Sequence, residues 1–201
     1  DEKLRALGQL AAGVAHEVRN PLNAIILTAE MLAEQLREKP ECLMHLDRIR
    51  RQINRLDHLM EDLLQLRRPA EARNLQRRTA AGLCRAAIDV WKQSNKELRH
   101  RLTSDFMPEA DNAEMLVDPE RMIQVITNLL DNASQHSAAG TEIRVSTPGL
   151  SDGFAVIQIH DQGPGLSEKN LLHAFDPFFT TRKGGSGLGL SIVKHITEIY
   201  L

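Results

Sequence analysis

Two stretches of helical apolar periodicity constrain the fold of this chain more than any other feature. In residues 4–36 the apolar side chains recur at steps of three and four, which lines one face of a helix. A break is expected at Pro40, because a proline biases its predecessor away from helix. A second run, residues 43–66, approximates a heptad seam and ends before Pro69. Together the two runs predict an antiparallel helical hairpin.

A hairpin of two amphipathic helices cannot cover both of its apolar stripes by itself. Two copies can do so as a four-helix bundle, so we expect a homodimer through residues 1–72. The alternative is that the hairpin packs on the domain that follows it in the same chain. Pro21 lies inside the first helix and removes one backbone hydrogen bond, which predicts a bend just after His16.

Composition narrows the possible functions. The 201 residues are sufficient for two modest domains. A net charge of −2 and an aromatic share of 3% argue against nucleic acid as a partner. No apolar run approaches the ~20 residues needed to span a bilayer, and no signal peptide is visible. We therefore expect a cytoplasmic chain, whose only link to a membrane would be a region absent from it, since position 1 is Asp1 rather than methionine.

From residue 75 the pattern changes to a mixture of strands and helices. Strands are predicted at residues 75–79, 101–107, 115–117, 142–147 and 155–160, and helices at residues 80–95, at 119–136 and from about 188. Asp118 and Pro119 form a good helix start, as cap and first helical residue. The buried face of that helix is expected to comprise Met122, Ile123, Ile126, Leu129 and Leu130. This irregular order favours an α+β sandwich with helices on one face of a mixed sheet.

The segment NLLDNASQH carries two amides on one face of the 119–136 helix. Asn128 and Asn132 are four residues apart, so their side chains project from the same side. Amide groups placed in this way can bind a hard cation and phosphate oxygens. The alternative is that both are ordinary exposed polar residues of an amphipathic helix.

The segment HDQGPGL suits the recognition of a nucleobase. Asp161 ends a strand, where its carboxylate can accept a hydrogen bond from an exocyclic amine such as that of adenine. Gly163 and Gly165 allow the backbone to approach a ring closely. An ordinary turn after a strand-terminal aspartate is the competing interpretation.

The segment FDPFFTTRKGGSGLGLS combines glycines with positive charge ahead of a helix. Its four glycines are Gly184, Gly185, Gly187 and Gly189. Backbone amides at such a helix start bind phosphate well, and Arg182 and Lys183 add charge. The segment is neither a Walker loop nor a dinucleotide fingerprint, because GxxxxGK[ST] is absent and no strand leads directly into it.

His16 lies on the polar side of the first helix, about 200° around from Val14. Glu17 follows at once, and Asn20 comes one turn later. An exposed histidine on a solvated face has by itself no function. The pattern HExxN lacks the second histidine of the zinc pattern HExxH, which argues against a metalloprotease.

Taken in order, these segments resemble the sensor histidine kinases of bacterial two-component systems over nearly the whole chain. LAAGVAHEVRNPL is similar to the phosphoacceptor box, and QVITNLLDNA is similar to the N box. HDQGPGL, FDPFFTT and GGSGLGLS are similar to the first glycine box, the F box and the second glycine box. The first box is most similar to that of the nitrogen-regulatory and metal-stress subgroup.

The resemblance implies a dimerisation and histidine phosphotransfer domain at residues 1–72. It implies an ATP-binding catalytic domain at residues 73–201, with the fold shared by gyrase, Hsp90 and MutL. The implied enzyme is a protein-histidine kinase that uses ATP and Mg²⁺ to phosphorylate itself, passes the phosphoryl group to an aspartate of a response regulator receiver domain, and also acts as regulator phosphatase. Because relatives continue into further strands beyond Leu201, the catalytic domain is expected to be incomplete at its C-terminus.

The resemblance also implies roles for individual residues. His16 would be phosphorylated, Glu17 would polarise its imidazole, and Asn20 would help to dephosphorylate the regulator. Asn132 would bind magnesium and Asp161 would recognise adenine. The full set of implied ATP-binding residues is Asn128, Asn132, Asp161, Gly163, Gly165, Arg182, Lys183, Gly185, Gly187, Leu188 and Gly189.

Two positions, Asn128 and Gln135, differ from the residues that related proteins carry there. Asn128 occurs where hydrolytic relatives carry a glutamate base, and an amide cannot activate water. Gln135 occurs where many relatives carry a basic residue, so His136 or Arg182 would have to supply that phosphate contact. The competing functions are a hydrolytic ATPase of the same fold and a degenerate kinase that serves only as a dimeric scaffold.

Overall fold

The computed structural model describes residues 2–37, 39–65, 74–95, 100–108, 113–182 and 185–200, with side chains from residue 18 onward except those at 54, 55, 58, 59 and 61–65. The chain divides into two compact units, residues 1–69 and 70–201. The first is a helical unit and the second an α+β unit. In the part of the chain that is described, no helix combines the length and the apolar character that crossing a bilayer requires.

The helical unit consists of α1 (Glu2–Gln35) and α2 (Pro40–Gln65). The predicted hairpin is confirmed, and α2 begins at Pro40, where a missing N–H costs no helical hydrogen bond. The Lys39 carbonyl accepts from the backbone N–H of Cys42 at 3.0 Å and so supports the first turn. Helix α1 continues through Pro21, and the bend expected there stays a prediction.

The apolar stripe of each helix is only half covered by the other helix. In α1, Leu22 and Ala29 are 7% and 4% exposed, whereas Ile25 and Leu32 are 46% and 40% exposed. The same alternation occurs in α2, where Leu46 and Ile53 are buried and Ile49 and Leu56 are exposed. A salt bridge of 3.1 Å from Arg19 Nε to Asp57 Oδ1 joins the two helices. One hairpin therefore buries one row of each stripe and leaves a second row open.

The α+β unit contains the mixed sheet that the sequence predicts, although one pair of strands stands apart. Its elements are β1 (Gln76–Thr79), α3 (Ala80–Ser94), β2 (Arg101–Phe106), β3 (Glu114–Val117), α4 (Pro119–His136), β4 (Glu142–Ser151), β5 (Phe154–His160), α5 (Glu168–Leu171) and α6 (Gly189–Thr197). The main sheet has the order β2-β4-β5, with β2 parallel and β5 antiparallel to β4. Strands β1 and β3 form a separate antiparallel pair.

Helices α3 and α4 form the core of this unit with β4. Leu83 and Trp91 from α3, Leu130 from α4, and Ile143 from β4 belong to one buried cluster. The Trp91 indole Nε1 also donates to Asp131 Oδ1 at 2.7 Å, which ties α3 to α4. This arrangement confirms the expected α+β sandwich and holds α4 firmly along its length.

The buried face of α4 differs from the one that the sequence predicts. Ile126 and Leu130 are buried as expected, but Met122, Ile123 and Leu129 are only half-buried. The remaining buried residues are Arg121, Val125 and Ala133. The reason is that α4 packs against α3 on one side and α6 on another, so the covered arc extends beyond the side that faces the sheet.

The start of α4 is fixed by Asp118. Its Oδ1 accepts from the backbone N–H groups of Glu120 and Arg121, as the capping pattern predicts. Its Oδ2 accepts from the backbone N–H of Asn74 at 3.3 Å. The backbone N–H of Asp118 itself donates to Tyr200 Oη at 3.1 Å. Asp118 thus joins the start of α4 to Asn74 at the beginning of this unit and to Tyr200 at its end.

Glu142 on β4 is expected to make the stability of this unit depend on pH. Thr103 Oγ1 donates to its carboxylate at 2.7 Å, and the Arg101 and Arg144 guanidinium groups lie 3.6 and 3.5 Å from it, so the pKa of Glu142 is lowered. A lowered pKa means that the ionised group stabilises the fold above its unfolded pKa of about 4.3 and that this contribution is lost as the pH falls through the folded value.

We therefore expect Glu142→Gln to lower the unfolding temperature at pH 7 but not at pH values below the folded pKa. Glu114→Gln is the matched control, because Glu114 pairs with Arg77 across an exposed surface, where ion pairs contribute little. Thermal unfolding of the full chain at the two pH values measures the difference. An equal decrease in unfolding temperature at both pH values would contradict the stabilising role of the ionised Glu142 carboxylate.

Candidate functional site

The predicted amide face of α4 carries an unsatisfied polar group. Asn128 and Asn132 are both half-buried on this helix. The Asn128 Nδ2 atom is buried and has no hydrogen-bond partner among the described residues. Because leaving a buried donor unpaired is costly, such a group usually meets water, an ion or a ligand. The helix therefore presents amides that are suited to a polar ligand.

The loop after β5 presents a carboxylate beside the end of α4. Asp161 is exposed, and its Oδ1 accepts from the backbone N–H of Gly163 at 2.7 Å. A Cβ atom at Gly163 would lie 2.7 Å from that oxygen and 3.0 Å from the backbone carbonyl oxygen of His136. In the described part of the chain Oδ2 of Asp161 forms no hydrogen bond, so it can accept from an amine. Gly165 has a φ of +72°, which favours glycine.

The second glycine-rich segment forms a loop whose two ends cross. We call residues 178–187 the crossing loop; Lys183 and Gly184 lie outside the described residues. Phe178 and Gly187 have φ values of +65° and +67°, and a Cβ atom at Gly187 would lie 2.7 Å from the Phe178 Cα. A Cβ atom at Gly185 would overlap the Thr180 side chain. Glycine is thus required where the loop closes on itself.

The residues that follow the crossing loop anchor it to the core. Leu188 is fully buried and is the N-cap residue of α6. Ser191 Oγ donates to the Leu188 carbonyl at 2.8 Å. Gly189 is the first residue of α6, and nothing lies within 4 Å of a Cβ atom built there. Of these residues, Leu188 contributes packing, while Gly189 has free space around it.

Arg182 brings the crossing loop to the last turn of α4. Its guanidinium Nη1 donates to Gln135 Oε1, a contact between residues 47 apart in sequence. From the sequence, Gln135 is notable only because many relatives carry a basic residue at its position. Its spacing from Asn128 and Asn132 nevertheless predicts that it lies on the same helix face. His136 contributes its backbone carbonyl beside Gly163.

The residues around the predicted phosphorylation site belong to α1. The backbones of His16 and Glu17 are helical, and their side chains lie outside the described residues. The exposure of His16 therefore stays a prediction. Asn20 and Pro21, one turn further along, are exposed. Among the described side chains of this part of α1, the Asn20 amide is therefore open to an incoming partner.

A magnesium ion at the α4 face would need ligands from a bound molecule. Among the described residues, no group of three or more His, Cys, Asp and Glu side chains converges on a point. Magnesium commonly binds few protein ligands and takes most of its remaining ligands from substrate phosphates and water. The amide oxygen of Asn132 is suited to this arrangement, in which a bound nucleotide supplies the phosphate oxygens.

Comparisons with known proteins give two family matches. The His Kinase A (phospho-acceptor) domain matches residues 6–72, and the histidine kinase-, DNA gyrase B-, and HSP90-like ATPase matches residues 117–200. The sensor histidine kinase ZraS of Escherichia coli (strain K12) is 36% identical over 201 residues, which cover 98% of this chain and 42% of that protein. The chain thus spans less than half the length of this curated relative.

The chain is also similar to solved structures, among them those of ThkA and ShkA. The crystal structure of histidine kinase ThkA in complex with response regulator protein TrrA covers 99% of this chain and 57% of that chain, with a TM-score of 0.68 and 25% identity. The crystal structure of full-length ShkA in complex with AMPPNP covers 95% of this chain and 41% of that chain, with a TM-score of 0.74. At 23% identity, the second likeness shows the fold alone.

Proposed function

Because the chain belongs to the sensor histidine kinases of bacterial two-component systems, we propose that it transfers the terminal phosphoryl group of ATP to His16 and then to an aspartate of a response regulator. We assign residues 1–72 to dimerisation and phosphotransfer and residues 73–201 to ATP binding and catalysis. The observation that carries the proposal is that the Asp161 loop and Arg182 both meet the last turn of α4, the helix that carries the two amides, within the unit that matches the ATPase model.

ATP is the nucleotide that suits these groups. The open carboxylate oxygen of Asp161 would accept from the adenine amine, Asn132 would hold the magnesium ion, and Arg182 would face the phosphates. The bound metal would neutralise charge on the phosphates and fix their geometry. The match of residues 117–200 to the histidine kinase-, DNA gyrase B-, and HSP90-like ATPase supports ATP as the nucleotide.

The reaction requires positioning more than covalent assistance from the protein. One ring nitrogen of His16 attacks the terminal phosphorus in line with the bond to the leaving ADP oxygen; a P–N bond forms as that P–O bond breaks. Glu17 accepts a hydrogen bond from the other ring nitrogen, which leaves the attacking nitrogen unprotonated. An exposed imidazole is largely neutral at pH 7, as this step requires.

Asn132→Ala should lower ATP affinity in the presence of magnesium by roughly tenfold to a hundredfold, because it removes a proposed metal ligand from the α4 face. Gln124→Ala is the control, since Gln124 is a half-buried polar residue of the same helix two turns earlier. Isothermal titration of the full chain measures both. An unchanged affinity in Asn132→Ala would remove this residue from the site.

The open apolar row of the hairpin supports a homodimer. Ile25, Leu32, Ile49 and Leu56 are all exposed within one chain, and burying such a side chain is worth about 1.5–3 kcal/mol. A second hairpin would cover all four as a four-helix bundle. Sedimentation equilibrium of the full chain should give the mass of two chains. The mass of one chain would favour packing of the hairpin on the α+β unit instead.

The partner is a response regulator receiver domain, which we expect in the cytoplasm, where ATP is available. The similar ThkA structure contains such a regulator, TrrA. Phosphatase activity would use Asn20, whose exposed amide lies one helical turn from His16. We expect Asn20→Ala to slow dephosphorylation of the regulator about tenfold, the loss of one well-placed hydrogen bond to a charged group, with near-normal labelling of the kinase. If labelling collapsed as well, the role of Asn20 would not be specific to dephosphorylation.

A hydrolytic ATPase of the same fold is the second candidate, and Asn128 argues against it because an amide cannot deprotonate water. The two functions separate when protein-bound label and free phosphate are measured together with γ-labelled ATP and magnesium. The kinase accumulates label that is acid-labile and base-stable. The ATPase releases phosphate without labelling the protein, and a scaffold without catalysis does neither.

A further inference from the structure

Gln135 shares one face of α4 with the two amides of the nucleotide site. Residues 128, 132 and 135 follow one another at steps of four and three, which aligns side chains along one side of a helix. Gln135 is exposed, and its Oε1 accepts a hydrogen bond from Arg182 Nη1. The contact joins the amide face directly to the crossing loop.

The crossing loop also fixes the backbone of Arg182. Its N–H donates to Thr180 Oγ1 at 3.1 Å, and its carbonyl accepts from the Gly185 N–H at 3.2 Å. Thr180 and Gly185 are in turn in close contact across the loop. The arginine is therefore held at its backbone by the loop and at its guanidinium by Gln135, which directs the charge toward α4.

The chemistry of this contact preserves the charge of the arginine. Gln135 is neutral, so it orients the guanidinium without neutralising it, whereas a carboxylate would do both. Among the described residues, no carboxylate forms an ion pair with Arg182. A guanidinium has five N–H donors, and Gln135 takes one of them. The others remain available for the bidentate contacts that guanidinium groups make with phosphate.

We propose that Gln135 is a positioning residue that presents Arg182 to the terminal phosphate of the bound nucleotide. The positive charge opposite the α4 amides thus comes from the crossing loop rather than from the helix itself. This inference rests on the proposed function, because it requires ATP on the α4 face. It goes further in assigning Gln135 a role in distinguishing ATP from ADP.

The test is the ratio of ATP to ADP affinity, measured by isothermal titration on the full chain with magnesium. Arg182→Gln should weaken ATP binding about tenfold, the loss expected for a hydrogen bond to a charged group, and leave ADP binding nearly unchanged. Gln135→Ala should weaken ATP binding roughly threefold with the same selectivity, because the guanidinium remains but is less ordered. In the Arg182→Gln background Gln135→Ala should have no further effect.

Two further variants distinguish positioning from packing. Gln135→Glu should lower ATP affinity, because its carboxylate holds the guanidinium but neutralises its charge. Gln135→Arg combined with Arg182→Gln should recover ATP affinity, because the cation then sits on α4 itself. Thermal unfolding of each variant should match the wild type, since both side chains are exposed.

Several outcomes would overturn the proposal. Equal losses for ATP and ADP in Gln135→Ala would indicate a structural role, and an undiminished effect of that change in the Arg182→Gln background would show that the two residues act independently. A wild-type chain that binds no ATP would overturn both this inference and the proposed function. A wild-type chain that binds ATP with the predicted selectivity but takes up no label would overturn the proposed function alone.

Discussion

His16→Gln should abolish phosphorylation of the chain while leaving ATP affinity unchanged. The substitution removes the nucleophile, and glutamine keeps a polar side chain of similar size on the same helix. The proposed ATP-binding groups belong to the other unit, residues 70–201, so the loss should affect labelling alone. Incubation with γ-labelled ATP and isothermal titration with ATP measure the two properties separately.

His45→Gln is the matched control for this prediction. His45 is an exposed histidine on α2 of the same hairpin. If labelling depended only on histidine content or on general integrity of the hairpin, both variants would lose it. Label that persists in His16→Gln would show that another residue receives the phosphoryl group.

Gly187→Ala should weaken ATP binding at least about tenfold, because a non-glycine residue at positive φ costs of order 1–3 kcal/mol and 1.4 kcal/mol corresponds to a factor of ten. The added Cβ would also meet the Phe178 backbone, which cannot move aside as a flexible side chain would. The crossing at the base of the loop would open, and Arg182 would lose its place beside Gln135. Titration with ATP measures the loss.

Gly189→Ala provides the comparison for Gly187→Ala. A Cβ atom there has open space, and α6 begins at this residue. Alanine keeps the backbone N–H through which Gly189 would contact phosphate, and it is favoured over glycine in a helix by up to about 1 kcal/mol. ATP affinity should therefore change little. Similar losses of ATP affinity in both variants would show that ATP binding does not depend on the close approach of Gly187 to Phe178.

Local patterns predicted much of this fold correctly. The hairpin follows from apolar spacing and from Pro40, and α4 follows from Asp118 and Pro119, because periodicity and capping act over a few residues. The buried face of α4 was predicted less well. Its extra covered arc depends on α6, which packs there from far along the chain and leaves no local signal.

The site was predicted as a set of segments rather than as an arrangement. Asn128 and Asn132 share a helix face, and helical spacing alone predicts that. The contact between Gln135 and Arg182 and the crossing of Phe178 with Gly187 depend on how a loop closes in three dimensions. A glycine-rich segment shows that backbone freedom is needed but not which atoms approach each other.

The proposed function depends on transfer of the phosphoryl group of ATP to His16. The most direct measurement is to incubate the chain with ATP and magnesium, digest it under conditions that preserve phosphohistidine, and locate the modified residue by mass spectrometry. We expect a single phosphorylated residue, His16. Phosphate on any other residue, or turnover of ATP with no modified residue, would contradict it.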